Sequence, residues 1–311
     1  MTMYEYLDNK NIKQYSLYER DSKVKLDDFG RPVEKKASFE EFLESLPNIL
    51  AGKDLREIAR IIAETKKKGN KFLIGMGAHV IKVGLSPLII DLMQKGIVNG
   101  IAMNGACTIH DTEIALVGHT SEDVAKEIAN GTFGMVKETT EFITEAVKRY
   151  SDLGCGEAIG RALLESNVPY KDKSILAMAY KMSIPVTVHI AIGTDIIHMH
   201  PQFDGAVFGS ASHRDFLVFS KLVSQLERGV YLNLGSSVIL PEVFLKAVSL
   251  VRNLGYSLKD ITTINMDFIQ HYRPLTNVVR RPTLESGKGF SLTGHHEIMF
   301  PLLCAAIKHY L

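Results

Sequence analysis

Residues 71–111 constrain the fold more than any other part of this 311-residue chain. They read as a short apolar strand (71–75), a glycine turn, a helix over about 80–95, a second strand (98–103) and another glycine turn at Asn104 and Gly105. A strand, a crossover helix and a second strand make parallel neighbours, and in open α/β sheets ligands sit where such turns leave the carboxyl ends of the strands. Gly75 and Gly77 permit a tight turn and a close backbone approach, and the NH groups of Ala78 and His79, opening the helix, can receive an anion. The third position of a G-x-G-x-x-G fingerprint is Val80, and the second strand ends without the ribose-binding carboxylate. A common Rossmann dehydrogenase is therefore disfavoured.

The strand pattern returns later. Residues 184–192 are β-rich and end at Gly193, Thr194 and Asp195; residues 230–234 end at Gly235, Ser236 and Ser237 and run into a helix through Asn253. Residues 261–266 are one more strand and 298–310 a closing helix, while 112–117, 122–129, 133–150, 155–165 and 214–227 read as further helices. Each strand ends in small or polar residues, which crossover topology gathers on one edge of the sheet. The expected class is α/β, a doubly wound, Rossmann-like and mainly parallel sheet. Ser38 with Glu41 makes a capping box for a helix through Leu50, and Asp54 can cap the next, 55–68. Residues 1–37 lack apolar periodicity and read as an N-terminal arm, leaving 38–311 as one α/β domain. Gly154 and Gly156 beside Cys155 fit a nucleotide loop or a helix boundary.

With 36 Lys+Arg against 35 Asp+Glu, the chain has no global charge for gripping nucleic acid. No segment reaches the ~18 unbroken apolar residues of a membrane span, and the opening residues, with Tyr4, Glu5 and Asp8, are no signal peptide. Cys107, Cys155 and Cys304 lie far apart with no C-x-x-C, which suits a reduced, cytoplasmic protein.

Several of these stretches, in the same order, resemble deoxyhypusine synthase over most of the chain. The family's first strand, ending in glycine before a helix with a late glycine, is similar to residues 72–84, and its next turn, closed by an acid, to 103–107 with Asp111. An I-P-V strand leading to Thr-Asp matches Ile184-Pro185-Val186 and Thr194-Asp195; a triple-glycine turn matches Gly235-Ser236-Ser237; Ile264-Asn265 and Phe300-Pro301-Leu302-Leu303 complete the set. The resemblance implies an NAD-binding α/β fold, a homotetramer, and active sites shared between chains. It places the cofactor against Gly75, Gly77, Ala78, His79, Asn104, Gly105, Asp111, Gly235, Ser236 and Ser237.

The departures bear on activity. The family's nucleophile is the lysine of a Trp-Gly-Lys element, but this chain has no Trp, and the matching region puts that position near Pro282. Arginine stays protonated and forms no imine, so Arg280 and Arg281 cannot replace it. Leu240-Pro241-Glu242 stands where the family has Lys-His-His. Genuine deoxyhypusine synthesis is not expected. The family surrounds a polyamine with carboxylates, whereas the corresponding places here carry His198, His200, His271, Arg273, Asn277, Arg280 and Arg281. A desolvated pocket of that sign refuses a polycation and accepts an anionic or strongly polar small substrate, bound by His200, His271, Asn277, Arg280 and Arg281. The competing reading pairs Arg280 and Arg281 with surface acids such as Glu285.

His198 and His200 alternate, so on an extended segment they point the same way and offer an alternative metal site. No H-E-x-x-H spacing supports a metal, and none is assigned. Glycine-rich 287–294 reads as a lid over ligand, with His295 and His296 opening a helix where a general acid or base can sit. The other reading is an exposed loop with Thr293 as N-cap. Asp195, just past a strand, can fix a ribose hydroxyl or orient a histidine, or merely cap a turn. His295, His296, Asp195 and Arg273 are the catalytic candidates of an NAD-dependent enzyme. A metal-dependent hydrolase or lyase and a non-catalytic nucleotide sensor are the alternatives.

Overall fold

The computed structural model describes residues 3–311, in two compact units, Met1–Lys53 and Asp54–Leu311. The first unit contains α1 (Phe39–Ser45), opened by the expected capping box: Ser38 N donates to Glu41 Oε2 at 2.6 Å and Glu41 N to Ser38 Oγ at 3.2 Å. Arg31 N donates to Ser45 O (2.9 Å) and Asn48 N to Asp28 O (3.0 Å), tying this helix to the residues before it.

Beyond it, α2 (Leu50–Lys67) leads to β1 (Phe72–Met76), α3 (His79–Lys82), α4 (Ser86–Gln94), β2 (Gly100–Asn104) and α5 (Gly105–Val117). Then come α6 (Val124–Glu127), α7 (Lys137–Arg149), α8 (Cys155–Glu165), α9 (Ile175–Lys181), β3 (Val186–His189) and α10 (Gly205–Val223). The chain ends with β4 (Val230–Leu234), α11 (Ile239–Asn253), β5 (Thr262–Asp267), α12 (Tyr272–Pro274), β6 (Lys288–Thr293) and α13 (His296–His309).

All six strands are parallel, in the order β3-β2-β1-β4-β5-β6. This is the doubly wound order, and the direction in which the sheet grows reverses between β1 and β4. Both of those strands are buried at every position, as expected where helices cover the two faces of a parallel sheet. On one face Leu73, Ala102 and Tyr231 pack with Phe219 and Val223 of α10 and Phe244 and Val248 of α11. Tyr231 stacks on Phe244, ring centroids 3.8 Å apart. Gly75 makes room for it: a Cβ there would overlap the Tyr231 hydroxyl.

The expected helix over 80–95 is two helices, broken at Gly84 (φ 79°) before Pro87 opens α4. Asn104 and Gly105 form no turn: β2 passes directly into α5 with Asn104 as N-cap. Residues 287–294 are not a lid but contain the edge strand β6, paired with β5 along its length.

The other edge is β3, and α10 supplies what a seventh strand would. Val188 N donates to Asp215 Oδ2 (2.9 Å), Ile190 N to Ser212 Oγ (3.0 Å), and Ser212 Oγ to Val188 O (3.1 Å). Gly156 N donates to the same Asp215 oxygen at 3.1 Å, so the carboxylate also caps α8. Gly154 and Gly156 are therefore a helix boundary, their missing Cβ atoms leaving room for Asp215 and for Val186 O.

His189 closes β3 against Phe219, 4% exposed, with Nε2 3.0 Å from Thr187 Oγ1. Burial lowers its pKa to about 3. A histidine depressed below its unfolded value stabilises the fold above about pH 6.5, and that contribution is lost as pH falls towards 3. Wild type should lose roughly 2 kcal/mol between pH 6.5 and 5 that His189→Gln does not lose. Urea unfolding of both proteins at the two pH values checks this, and parallel losses would refute it.

Candidate functional site

At the switch point the turns after three strands are joined through the backbone. Gly77 N donates to Leu234 O and Gly235 N to Met266 O, each at 3.0 Å. A Cβ on Gly77 would overlap the Gly235 carbonyl, which is what requires glycine there. Gly235 (φ 66°) faces the His296 ring, whose Nε2 would stand 2.9 Å from an added Cβ. Ser236 Oγ accepts from Leu240 N (3.2 Å), and Asn233 Nδ2 donates to Ser236 O (2.8 Å), so the turn is fixed from below.

His296, at the start of α13, is wholly buried, with Nε2 3.3 Å from Met266 O and 3.8 Å from Asp267 Oδ1. Its Nδ1 has no partner among the described residues. Burial lowers its pKa, and the Asp267 carboxylate opposes the shift. His79 lies 5.6 Å from His296 and 5.8 Å from Phe268, centroid to centroid, and the exposed His295 stacks on Phe268 at 6.2 Å. Gly77, His79, Gly235, Ser236, His295 and His296 are thus neighbours at the switch point, with Ala78 and Ser237 in the same two turns.

A hollow lies beyond the end of β2. A chamber of about 180 Å³ is lined by Lys82, His110, Glu113, Glu122, Phe133 and Asp195, among others. Asp195 lies against the first residue of α5, where a Cβ on Gly105 would overlap its carboxylate. It is 9% exposed, and burial pushes its pKa up to about 6. Its Oδ2 is unpartnered among the described residues and stands 3.9 Å from His198 Nε2, which is unpartnered too.

On α5, His110 Nδ1 lies 2.7 Å from Thr120 Oγ1, and the Thr120 hydroxyl donates to Glu113. Thr120 gives its one proton to Glu113, so Nδ1–H of His110 is the donor to Thr120, and Nε2 is left as an acceptor. Burial, then the charge of Lys82, lowers the His110 pKa to about 4, keeping the imidazole neutral. Lys82, His110, Glu113 and Thr120 were not singled out from the sequence. The available signal was the i,i+3 spacing of His110 and Glu113, which puts both on one helix face.

Other expected site residues lie elsewhere or are otherwise engaged. Asp111 is fully buried and caps α9, accepting from Ser174 Oγ (2.5 Å), Ile175 N (2.8 Å) and Leu176 N (3.1 Å). Asn104 Oδ1 accepts from Cys107 Sγ at 3.0 Å. Arg273 pairs with Glu242 at 3.4 Å, Asn277 Nδ2 donates to the same carboxylate at 2.8 Å, and Arg281 donates to Asn277 Oδ1 at 2.8 Å. Arg280 and His271 are exposed. The cations therefore surround Glu242 on α11 or face solvent.

His198 and His200 do not share an extended segment, because Ile196–Met199 is a 3-10 turn. His198 Nδ1 accepts from Gly193 N (3.0 Å) and Asp195 N (3.1 Å), while His200 Nε2 meets Gly134 O at 2.8 Å. Among the described residues no group of three or more His, Cys, Asp or Glu is placed to hold a metal ion. No helix among them is long and apolar enough to cross a membrane.

No family model and no curated protein matches the chain. Among solved structures it is similar to ArgZ, an arginine dihydrolase of the ornithine–ammonia cycle in cyanobacteria, with 18% identity and a TM-score of 0.52 over 84% of this chain and 33% of that one. It is similar to AgrE in a ternary complex with ornithine and NAD+, with 14% identity and a TM-score of 0.52 over 83% and 33%. The likeness is one of fold. The chain spans about a third of the length of both proteins. A protein provisionally named a deoxyhypusine synthase, from Entamoeba histolytica, superposes at a TM-score of 0.47 with 12% identity over 89% of this chain and 95% of that one.

Proposed function

We propose that this protein is an enzyme of the deoxyhypusine synthase-like group that binds NAD in the switch-point crevice and performs hydride or transfer chemistry on a small polar substrate. The observation that carries the reading is the strand order, which joins the turns at residues 77–79 and 235–237 beside a polar chamber on the same edge. The crevice fits a dinucleotide in its chemistry. Its two turns are bare of side chains at their closest approach, His79, Phe268 and His295 offer flat ring faces, and Asn104 keeps an amide NH2 at the end of β2. Gly77, Ala78 and His79, with Gly235, Ser236 and Ser237, would hold the cofactor, which when bound takes up or returns a hydride.

The chain's own groups divide the remaining work. His110 Nε2, oriented through Thr120 and Glu113, accepts a proton, and Asp195 holds a substrate donor. Deoxyhypusine synthesis lies outside this reading, because the chain has no Trp and the lysine of β6, Lys288, pairs with Glu57 at 2.6 Å at the amino end of that strand. A homo-oligomer belongs to the reading, as the resemblance implies. NAD at a hundredfold excess over its Kd should raise the melting temperature by roughly 4–8 °C. No shift with millimolar NAD, NADH, NADP or NADPH would overturn the assignment.

A further inference from the structure

Residues 118–136 roof the chamber beside His110, lining it with Ser121, Glu122, Val124 and Phe133, and little holds them down. Of these nineteen positions only Gly134 is buried. The segment starts and ends on glycines in the left-handed region, Gly118 (φ 76°) and Gly134 (φ 75°), with α6 between them. Its other hydrogen bonds are largely internal: Thr132 Oγ1 donates to Glu127 O (3.1 Å), and Gly134 N lies 3.2 Å from both oxygens of Glu122. Among the described residues, 119–135 reach the rest of the chain by hydrogen bonds at two places. His200 Nε2 meets Gly134 O at 2.8 Å, and the Thr120 hydroxyl sits between His110 and Glu113. A segment with so few buried contacts opens before the body of the fold does.

The Thr120 contact falls on groups that exchange protons. With the hydroxyl in place, Nδ1–H of His110 is spent on it, Nε2 is a bare acceptor, and the covered ring stays neutral with a pKa of about 4. With the hydroxyl withdrawn, nothing separates the imidazole from Glu113. His110 Nδ1 and Glu113 Oε2 already stand 3.9 Å apart on one face of α5, so a small rotation joins them. Water reaches the ring in the same movement. A neighbouring carboxylate and restored solvation both favour the imidazolium, returning the pKa to its ordinary ~6.5 or above. The other charged groups lining the chamber are Lys82 on α3, Glu122 in the roof and Asp195 before the 3-10 turn; of these Lys82 opposes a charge on His110.

We propose that residues 118–136 are a lid whose closing takes a proton from His110, with Thr120 as the coupling group. Closing seats the hydroxyl between the imidazole and Glu113, and the proton on Nε2 leaves to solvent. Opening lets Glu113 pair with Nδ1–H, and Nε2 takes a proton back. The proton acceptor is therefore completed only when the chamber is covered. Because the open state binds the proton more tightly, opening is favoured as pH falls below about 6.5, and the effect levels off near pH 4. The lid rests on the enzyme reading only in giving His110 a proton to accept, and it requires no bound cofactor.

The test is cleavage of 118–136 by a glutamate-specific protease, on the full chain without NAD, so that failure here and failure of the cofactor assignment are read separately. Divided at each pH by the cleavage rate of a free peptide of the same sequence, the rate tracks the open population. From pH 7.5 to 5.0 that ratio should rise roughly twentyfold in wild type. His110→Gln removes the imidazole and leaves every carboxylate, and should cut the rise to under about twofold. Thr120→Val should be cleaved faster than wild type at pH 7.5, while Thr120→Ser, which keeps the hydroxyl, should match wild type. NMR titration of the His110 ring is a second measurement that needs no cleavage. The ring should titrate well below its ordinary value in wild type and return to roughly 6.5 in Thr120→Val. An unchanged ratio in wild type, a rise that survives in His110→Gln, or a His110 titration unmoved by Thr120→Val would overturn the proposal.

Discussion

Asp215→Ala is expected to lower the unfolding free energy by about 3 kcal/mol, a large part of a domain's margin. The side chain is 2% exposed, and one of its oxygens serves the backbone NH groups of both Val188 and Gly156. Alanine leaves those donors buried without acceptors, at the free edge of the sheet and the first turn of α8 together. Burial works against the carboxylate, pushing its pKa up to about 7, so the loss falls below that for breaking a buried ion pair. Asp215→Asn keeps one acceptor oxygen and should lose about half as much. Chemical denaturation at fixed pH measures both, and a loss under about 1 kcal/mol for alanine would mean that water replaces the carboxylate and that the edge is not held this way. Self-association should accompany the alanine variant, since an uncovered edge strand pairs with its like.

The elements legible from sequence were those whose pattern has one physical cause. Residues 72–76 and 230–234 are continuous apolar runs because both faces of a parallel sheet are covered, and both are the strands expected. Residues 288–293 broke the pattern. An edge strand needs little burial, only Leu292 of it is buried, and Gly287, Gly289 and Gly294 read as a loop. Gly287 (φ 103°) instead meets Ile261 backbone, and Gly289 lies against Val279 O. The glycines that signalled a mobile segment are there for close packing.

Charge alone does not decide tertiary placement. Arg273, Arg280 and Arg281 invited an anion pocket, but the π-helical turn Leu275–Arg280 buries Asn277 and leaves Arg280 and Arg281 exposed. Asp111 was a cofactor residue by resemblance, and Asp195 the leading candidate by position. One caps α9 with three hydrogen bonds, and the other keeps an oxygen without one, a difference that arises from where Ser174 and Gly105 come to lie. Lys82 is on α3, His110 on α5 and Glu122 in the loop after it, so nothing in their local spacing reveals that they share a chamber.

Gly77→Ala separates packing from cofactor binding at the switch point. Gly77 does not have positive φ, so alanine adds no backbone strain there, and the whole cost is steric. The new methyl would overlap the Gly235 carbonyl and come 3.6 Å from the Ser236 Cα, two backbone groups that cannot turn aside as a side chain can. The turns must separate, weakening the Gly77 N to Leu234 O bond, and the loss should be about 2–3 kcal/mol. Gly69→Ala is the control: Gly69 has φ 72° but open space around it, so alanine there costs about 1 kcal/mol of strain alone. If the crevice holds the dinucleotide, Gly77→Ala should also abolish the thermal shift with NAD while Gly69→Ala keeps it. Equal destabilisation by both substitutions would remove the steric argument, and an undiminished shift in Gly77→Ala would move the cofactor away from the β1 turn.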